Sequence, residues 1–152
     1  MPLNSADIRS RVASHALASG SFERVLRHEP VSSPGSGLTY AVWVSDLGPV
    51  PAGSGLSETT ARLELNGRVF LPADTESMDD VDDTVTAAAD ALLGAYSGNF
   101  KLGETVRCID LLGMYGAALR ARYGYLTIGS TTYRIATLTI PIIVNAVWGQ
   151  VA

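Results

Sequence analysis

The chain is short of charge, cysteine and histidine, and each shortage narrows what it can be. Charged residues make up 17% of the 152 positions, against roughly 25% in an average soluble protein. A single cysteine, Cys108, can close no internal disulfide, and with only His15 and His28 beside it the sequence spells out no metal-ligand set. There is no Gly-x-Ser-x-Gly, no His-Glu-x-x-His and no cysteine paired with a histidine base, so no hydrolase motif is present. Met1 to Ser10 lacks the apolar stretch of a signal peptide, and no cleaved export signal is expected. The longest apolar run, Ile135 to Trp148, is interrupted by Thr137, Thr139, Pro141 and Asn145 and is shorter than the ~20 residues of a membrane helix. A soluble protein made in the cytoplasm is expected, with no membrane contact.

What is present is mostly apolar. Hydrophobic residues are 47% of the chain and there are 15 glycines. A chain so poor in charge suits a subunit that buries part of its surface against neighbours, because permanent interfaces resemble a core cut in half. A well-packed monomer with Ala- and Gly-rich loops would have the same composition. The length suits one domain, 1–152. A net charge of −4 argues against a surface built as a whole for a nucleic acid backbone.

One stretch organises the rest. Val81, Val85, Ala88, Leu92 and Tyr96 recur at helical spacing and predict an amphipathic helix over about 76–96. Glu76, Asp79, Asp80, Asp82 and Asp83 fall in its first turns, where the helix dipole favours negative charge, and Gly98 closes it. Burying the stripe contributes at most about 8–12 kcal/mol. The acidic run lacks the alternation of a calcium loop and reads as a solvated helix start. A shorter helix is predicted over about 5–18, capped by Asn4 or Ser5 and stopped by Gly20. His15 shares its apolar face and reads as a packed or interface residue.

Strands are predicted over about 21–28, 38–45, 59–71, 104–112, 123–128 and 131–144, from alternation and from turn residues between them. Asn66-Gly67 could form a hairpin turn, but a continuous strand keeps Ala61, Leu63, Leu65, Val69 and Leu71 on one face with Gly67 as a flat spot or bulge. Such a strand would project beyond a small domain, toward neighbours. Cys108 reads as a small buried hydrophobe. Pro141 marks an edge or the place where pairing ends, and Ile142 to Trp148 forms an apolar tail expected to dock on the core or on another subunit. The repeated Gly-Ser-Gly-Leu at Gly35 to Leu38 and Gly53 to Leu56 lacks the context of a phosphate loop and reads as flexible connection. The fold expected is α+β: a mixed, mainly antiparallel sheet with one long central helix and an N-terminal helix packed on it.

Three strings carry a resemblance. Asp90 to Phe100 (DALLGAYSGNF), Val106 to Gly113 (VRCIDLLG) and Leu138 to Asn145 (LTIPIIVN), together with Ser36 to Val44 and Ser57 to Phe70, resemble small tail proteins of long-tailed phages of actinobacteria, over nearly the whole chain beyond about residue 10. The resemblance implies a tail terminator: a structural virion protein, not an enzyme, that forms a ring with copies of itself, generally a hexamer, on the head-proximal end of the tail tube. Its partners would be the tail tube protein and a neck or head completion protein, and DNA would pass through the ring without being specifically bound. No cofactor is implied. A head-side connector or tail completion protein of the neck is the alternative, and a small enzyme without a recognisable motif a remote one.

No residue roles carry over with the resemblance, so the site candidates are physical. Leu63, Leu65, Val69, Leu71, Ile142, Val144 and Trp148 are candidates for subunit contacts. Gly35, Ser36, Gly37, Gly53, Ser54 and Gly55 are candidates for contacts with tube or neck. Asp79, Asp80, Asp82 and Asp83 are candidates for an acidic lumen that repels passing DNA.

Overall fold

A computed structural model describes residues 3–51 and 58–151. Two helices, α1 (Ser5–Ser19) and α2 (Met78–Gly98), share one face of a mixed six-stranded sheet. Its strands are β1 (Arg24–Leu26), β2 (Thr39–Val50), β3 (Glu58–Pro72), β4 (Cys108–Ile109), β5 (Arg120–Ile128) and β6 (Thr131–Gly149). The order is β1-β2-β3-β6-β4, with β5 also paired to β6. Only β1 and β2 run parallel. The architecture is α+β, mainly antiparallel, as the pattern of apolar residues implied. Among the described residues no helix is long and apolar enough to cross a membrane.

The helices form where their caps and stripes dictate. Asn4 accepts from the Asp7 amide at 3.1 Å and Gly20 ends α1 in the left-handed region, which costs a glycine little. Ser77 caps α2 by accepting from the Asp80 amide. Val81, Val85, Ala88, Leu92 and Tyr96 are all buried against the sheet. The helix runs two residues later than the periodicity predicts, because the cap is Ser77 and Gly98 is its last residue rather than its stop.

The strands depart more from expectation. The segment 21–28 contributes only three strand residues, since β1 pairs with β2 only over Thr39, Tyr40 and Ala41. The segment 104–112 shrinks to Cys108–Ile109: Leu102, Gly103 and Glu104 all have positive φ and turn the chain, and Asp110 is drawn into hydrogen bonds with the loop after it. β2 and β6 outrun 38–45 and 131–144 by five residues each, reaching Val50 and Gly149. β3 is therefore flanked along its length and does not project alone; its first residues travel in a three-stranded arm. β5 begins at Arg120, three residues ahead of the expected 123. Pro141 sits where β6 changes partner, between the last β5 pair at Thr139 and the first β4 pair at Ile142, while pairing with β3 continues past it. A missing N–H does least harm at such a gap. Pro49 lies on β2 below the reach of β1, on an edge paired to no other described strand.

Gly67 is where sheet and helices are fitted to each other. β3 passes straight through Asn66-Gly67, with Val42 opposite Gly67. The Tyr40 side chain crosses over Gly67, so close that a Cβ there would overlap its hydroxyl. Beyond the glycine, Tyr40 meets the Tyr96 hydroxyl at 2.8 Å, and Tyr96 donates to the Val12 carbonyl of α1 at 3.1 Å. With the Tyr96 proton committed to Val12, Tyr40 is the donor in their shared bond. Gly67→Ala should destabilise the chain by about 1–3 kcal/mol through overpacking. In Gly67→Ala/Tyr40→Phe the closest overlap, with the hydroxyl, is removed while the ring carbons still crowd the new Cβ, so the combined loss measured by urea unfolding should be smaller than the sum of the single losses.

Candidate functional site

Asp110 follows β4 and is 3% exposed. Its backbone is fixed by a bond from its N–H to the Pro141 carbonyl at 2.8 Å. Its carboxylate accepts from three successive backbone amides: Oδ1 from Gly113 at 3.1 Å and Met114 at 2.8 Å, Oδ2 from Tyr115 at 2.8 Å. A carboxylate taken out of water needs such donors, and these fold 110–119 back on itself. Gly113 has φ +80°, and a Cβ there would meet the Gly116 carbonyl at 2.8 Å, so the turn requires glycine. The far side of the loop is held by Arg62 of β3, which donates to the Ala117 carbonyl at 3.2 Å and pairs with Glu64 at 2.7 Å. Arg107 lies over the Tyr115 ring at 5.4 Å.

A loop held this firmly presents Leu112 at 89% and Met114 at 81% exposure. With Phe100, Cys108 and Ile109 they border an apolar hollow of about 260 Å³. Large apolar side chains held in water by an ordered loop form an exposed patch of the kind found at protein–protein contacts, and Met114 is unbranched and adaptable. The surroundings of Cys108 disfavour the thiolate form that a nucleophile requires. Burial, and then the Asp110 charge, push its thiol up, while Arg107 opposes them.

The other candidates separate. Leu63, Leu65, Val69, Leu71 and Ile142 are buried in the chain's own core and have no surface to offer a neighbour. Their alternation reflects the helix layer above them rather than a second subunit. Val144 and Trp148 are half-buried near the end of β6, which docks on its own chain through Ile142, Ile143 and Val147. Gly35, Ser36 and Gly37 are not a free loop. Gly35 accepts from the Tyr133 hydroxyl at 3.3 Å, Ser36 accepts from Arg24 at 2.6 Å, and Gly37 is pressed on the Glu23 carboxylate. Ser33 also hydrogen-bonds Tyr133. Gly53, Ser54 and Gly55 lie outside the described residues. Asp79, Asp80, Asp82 and Asp83 are exposed on α2, and Asp82 pairs with Arg134 at 2.8 Å beneath the Tyr125 ring. Among the described residues no three His, Cys, Asp or Glu side chains come together as a metal site.

Sequence reasoning missed the Asp110 loop. Its signal is the Asp-Leu-Leu-Gly at 110–113, an aspartate placed to accept from amides a few residues on, with glycine at the tight position. No protein-family model matches the chain, and no curated protein matches it.

Two measurements check this geometry. Asp110→Ala should cost about 1–3 kcal/mol and speed hydrogen exchange at Gly113, Met114 and Tyr115 while leaving α2 protected. The second concerns His15, whose neutral ring accepts from the Asn99 amide at 3.3 Å and meets the Tyr96 ring edge-on. Burial lowers its pKa from 6.5. Its contribution is therefore present above that value and is lost as pH falls through it, because the unfolded chain takes up the proton first. Between about pH 7.5 and 5.5 the wild-type melting temperature should fall more than that of His15→Gln.

Proposed function

We propose that the protein is a structural subunit of a long-tailed phage, a tail terminator that assembles with copies of itself into a ring, as a hexamer, on the head-proximal end of the tail tube. In this reading it is a virion protein made in the host cytoplasm and not an enzyme. It halts tube growth and presents the surface that joins the head, while DNA passes through without specific recognition. The observation that carries the reading beyond the sequence resemblance is the loop pinned by Asp110, which holds Leu112 and Met114 out in water. Rigid apolar display of this kind serves assembly: ordering is complete before contact, so little conformational entropy is lost on docking.

The test is electron microscopy of lysates from a phage in which the gene is disrupted. Overlong tubes without heads are expected. Normal tails beside unjoined, DNA-filled heads would move the protein to the head side of the joint, and intact virions would end both versions. Complementation with Leu112→Asp/Met114→Asp should fail to restore virions. Its unfolding midpoint should stay near wild type, since exposed substitutions shift stability by only about 0.5 kcal/mol.

A further inference from the structure

The sheet face away from the helices carries three arginines that form no ion pair among the described residues. Pair registers place Arg68, Thr137 and Arg122 in one row across β3, β6 and β5, and Asn66, Thr139 and Arg120 in the next. Strand spacing puts the Cα atoms of the three arginines at the corners of a triangle with sides of roughly 7, 10 and 12 Å. Arg68 is held in place: its Nε donates to Thr137 Oγ1 at 2.8 Å and its guanidinium lies 5.3 Å from the Trp43 ring centre. Arg120 and Arg122 are exposed, and none of the three has an ion-pair partner among the described residues. Glu64 on the same face is neutralised by Arg62, Asp46 lies on β2 beyond two intervening strands from β5, and Glu29 draws on Arg68 from the loop after β1. Lys101 is the one lysine of the chain; every other basic residue is an arginine, the side chain suited to binding carboxylates in pairs.

The opposite side of the molecule is the converse. Between Arg68 and Lys101 the sequence has no basic residue. Among the described residues of that span Asp79, Asp80 and Asp83 are exposed on α2 without an ion-pair partner, and Asp82 is paired to Arg134. From Asp79 to Asp83 they cover about 6 Å along the axis, at 1.5 Å per residue, and Glu76 just ahead of the helix extends the acidic surface toward the length of the arginine triangle. The acidic surface lies on the outside of the helix layer and the arginines lie on the far face of the sheet, so the two cannot meet within one chain.

We propose that this arginine face, Arg68, Arg120 and Arg122, is the docking surface for the acidic first turns of α2 in a second copy of the chain. The inference rests on the proposed self-assembly into a ring and specifies its contact. Two different patches meeting in this way make a head-to-tail interface, which repeats around a ring if the rotation closes. A nucleic acid is the less suited occupant of the arginines, because the net charge is −4 and the acidic helix would repel it.

The test is a charge swap read by sedimentation of the purified full chain. Wild type should self-associate at low salt and weaken by on the order of tenfold at about 0.5 M salt. Arg120→Glu/Arg122→Glu and Asp79→Lys/Asp83→Lys should each stay monomeric with unchanged circular dichroism. Mixed in equal amounts they should assemble to the wild-type size, because each reversed patch then meets its complement. A wild type that stays monomeric at low salt and millimolar concentration overturns the proposal, as does assembly by either variant alone or a mixture that does not assemble. Binding of a labelled DNA duplex that is lost in Arg120→Glu/Arg122→Glu, without self-association of wild type, would assign the face to nucleic acid and overturn it too. Self-association that ignores charge would remove this contact and leave the tail reading standing, whereas intact virions after gene disruption would remove the tail reading whatever the sedimentation shows.

Discussion

Two tyrosine hydroxyls in series tie the two helices of this molecule to each other and to the sheet beneath them. Tyr40 rises from β2, crosses β3 at the one position without a side chain, and donates to Tyr96 of α2, which in turn donates to the Val12 carbonyl of α1. All of it is out of water, where an unmatched hydroxyl is costly and a matched chain of them permits one arrangement. Burial pushes both phenols up, so the donors stay protonated throughout the physiological range. The end of α2 is thereby fixed with respect to both the sheet and α1.

The path of the chain beyond α2 depends on that fixed end. Asn99 caps α2, accepts from the Gly103 amide at 3.1 Å and donates to His15. The turn beyond it buries Leu102 with φ +48°, a conformation unfavourable for leucine that persists because the side chain is held in the core. The chain then returns along β6, Arg107 donating to the Ile143 carbonyl at 2.9 Å and the Ile109 amide to Phe100. Asp110 arrives beside Pro141, where β6 has neither β5 nor β4 paired to it, and the loop closes around its carboxylate. A gap in the ladder opened by a proline is thus occupied by the element that presents Leu112 and Met114. Function as proposed here is carried by the edge of the sheet, while the long central strand serves the core.

Much of this was legible from local pattern. The α2 stripe named its buried residues because helical periodicity survives in any context that covers one face. The continuity of β3 through Asn66-Gly67 followed from face alternation alone. Strand lengths were not legible: Asp46, Pro49 and Asn145 look like breakers, yet a bulge after Val44 and another opposite Thr60 carry the ladders through them. Nor could alternation say what Leu63, Leu65 and Ile142 face, since a helix layer and a neighbouring subunit demand the same apolar side chain. The Gly35 to Gly37 loop looked free by composition and is tied down by Tyr133, which lies about a hundred residues further along the chain.

By itself, then, the sequence determined the two helices, the capping of α1 by Asn4 and Gly20 and the continuity of β3 through Gly67, because each depends on neighbours within a few residues or on strict periodicity. Only the tertiary structure decided that Asp110 is buried and binds three amides, that Leu112 and Met114 are left in water, and that arginines from β3 and β5 stand in one group opposite the acidic helix. Those outcomes depend on which strands lie side by side, and pairing between residues far apart along the chain is governed by packing of the whole sheet rather than by any local signal.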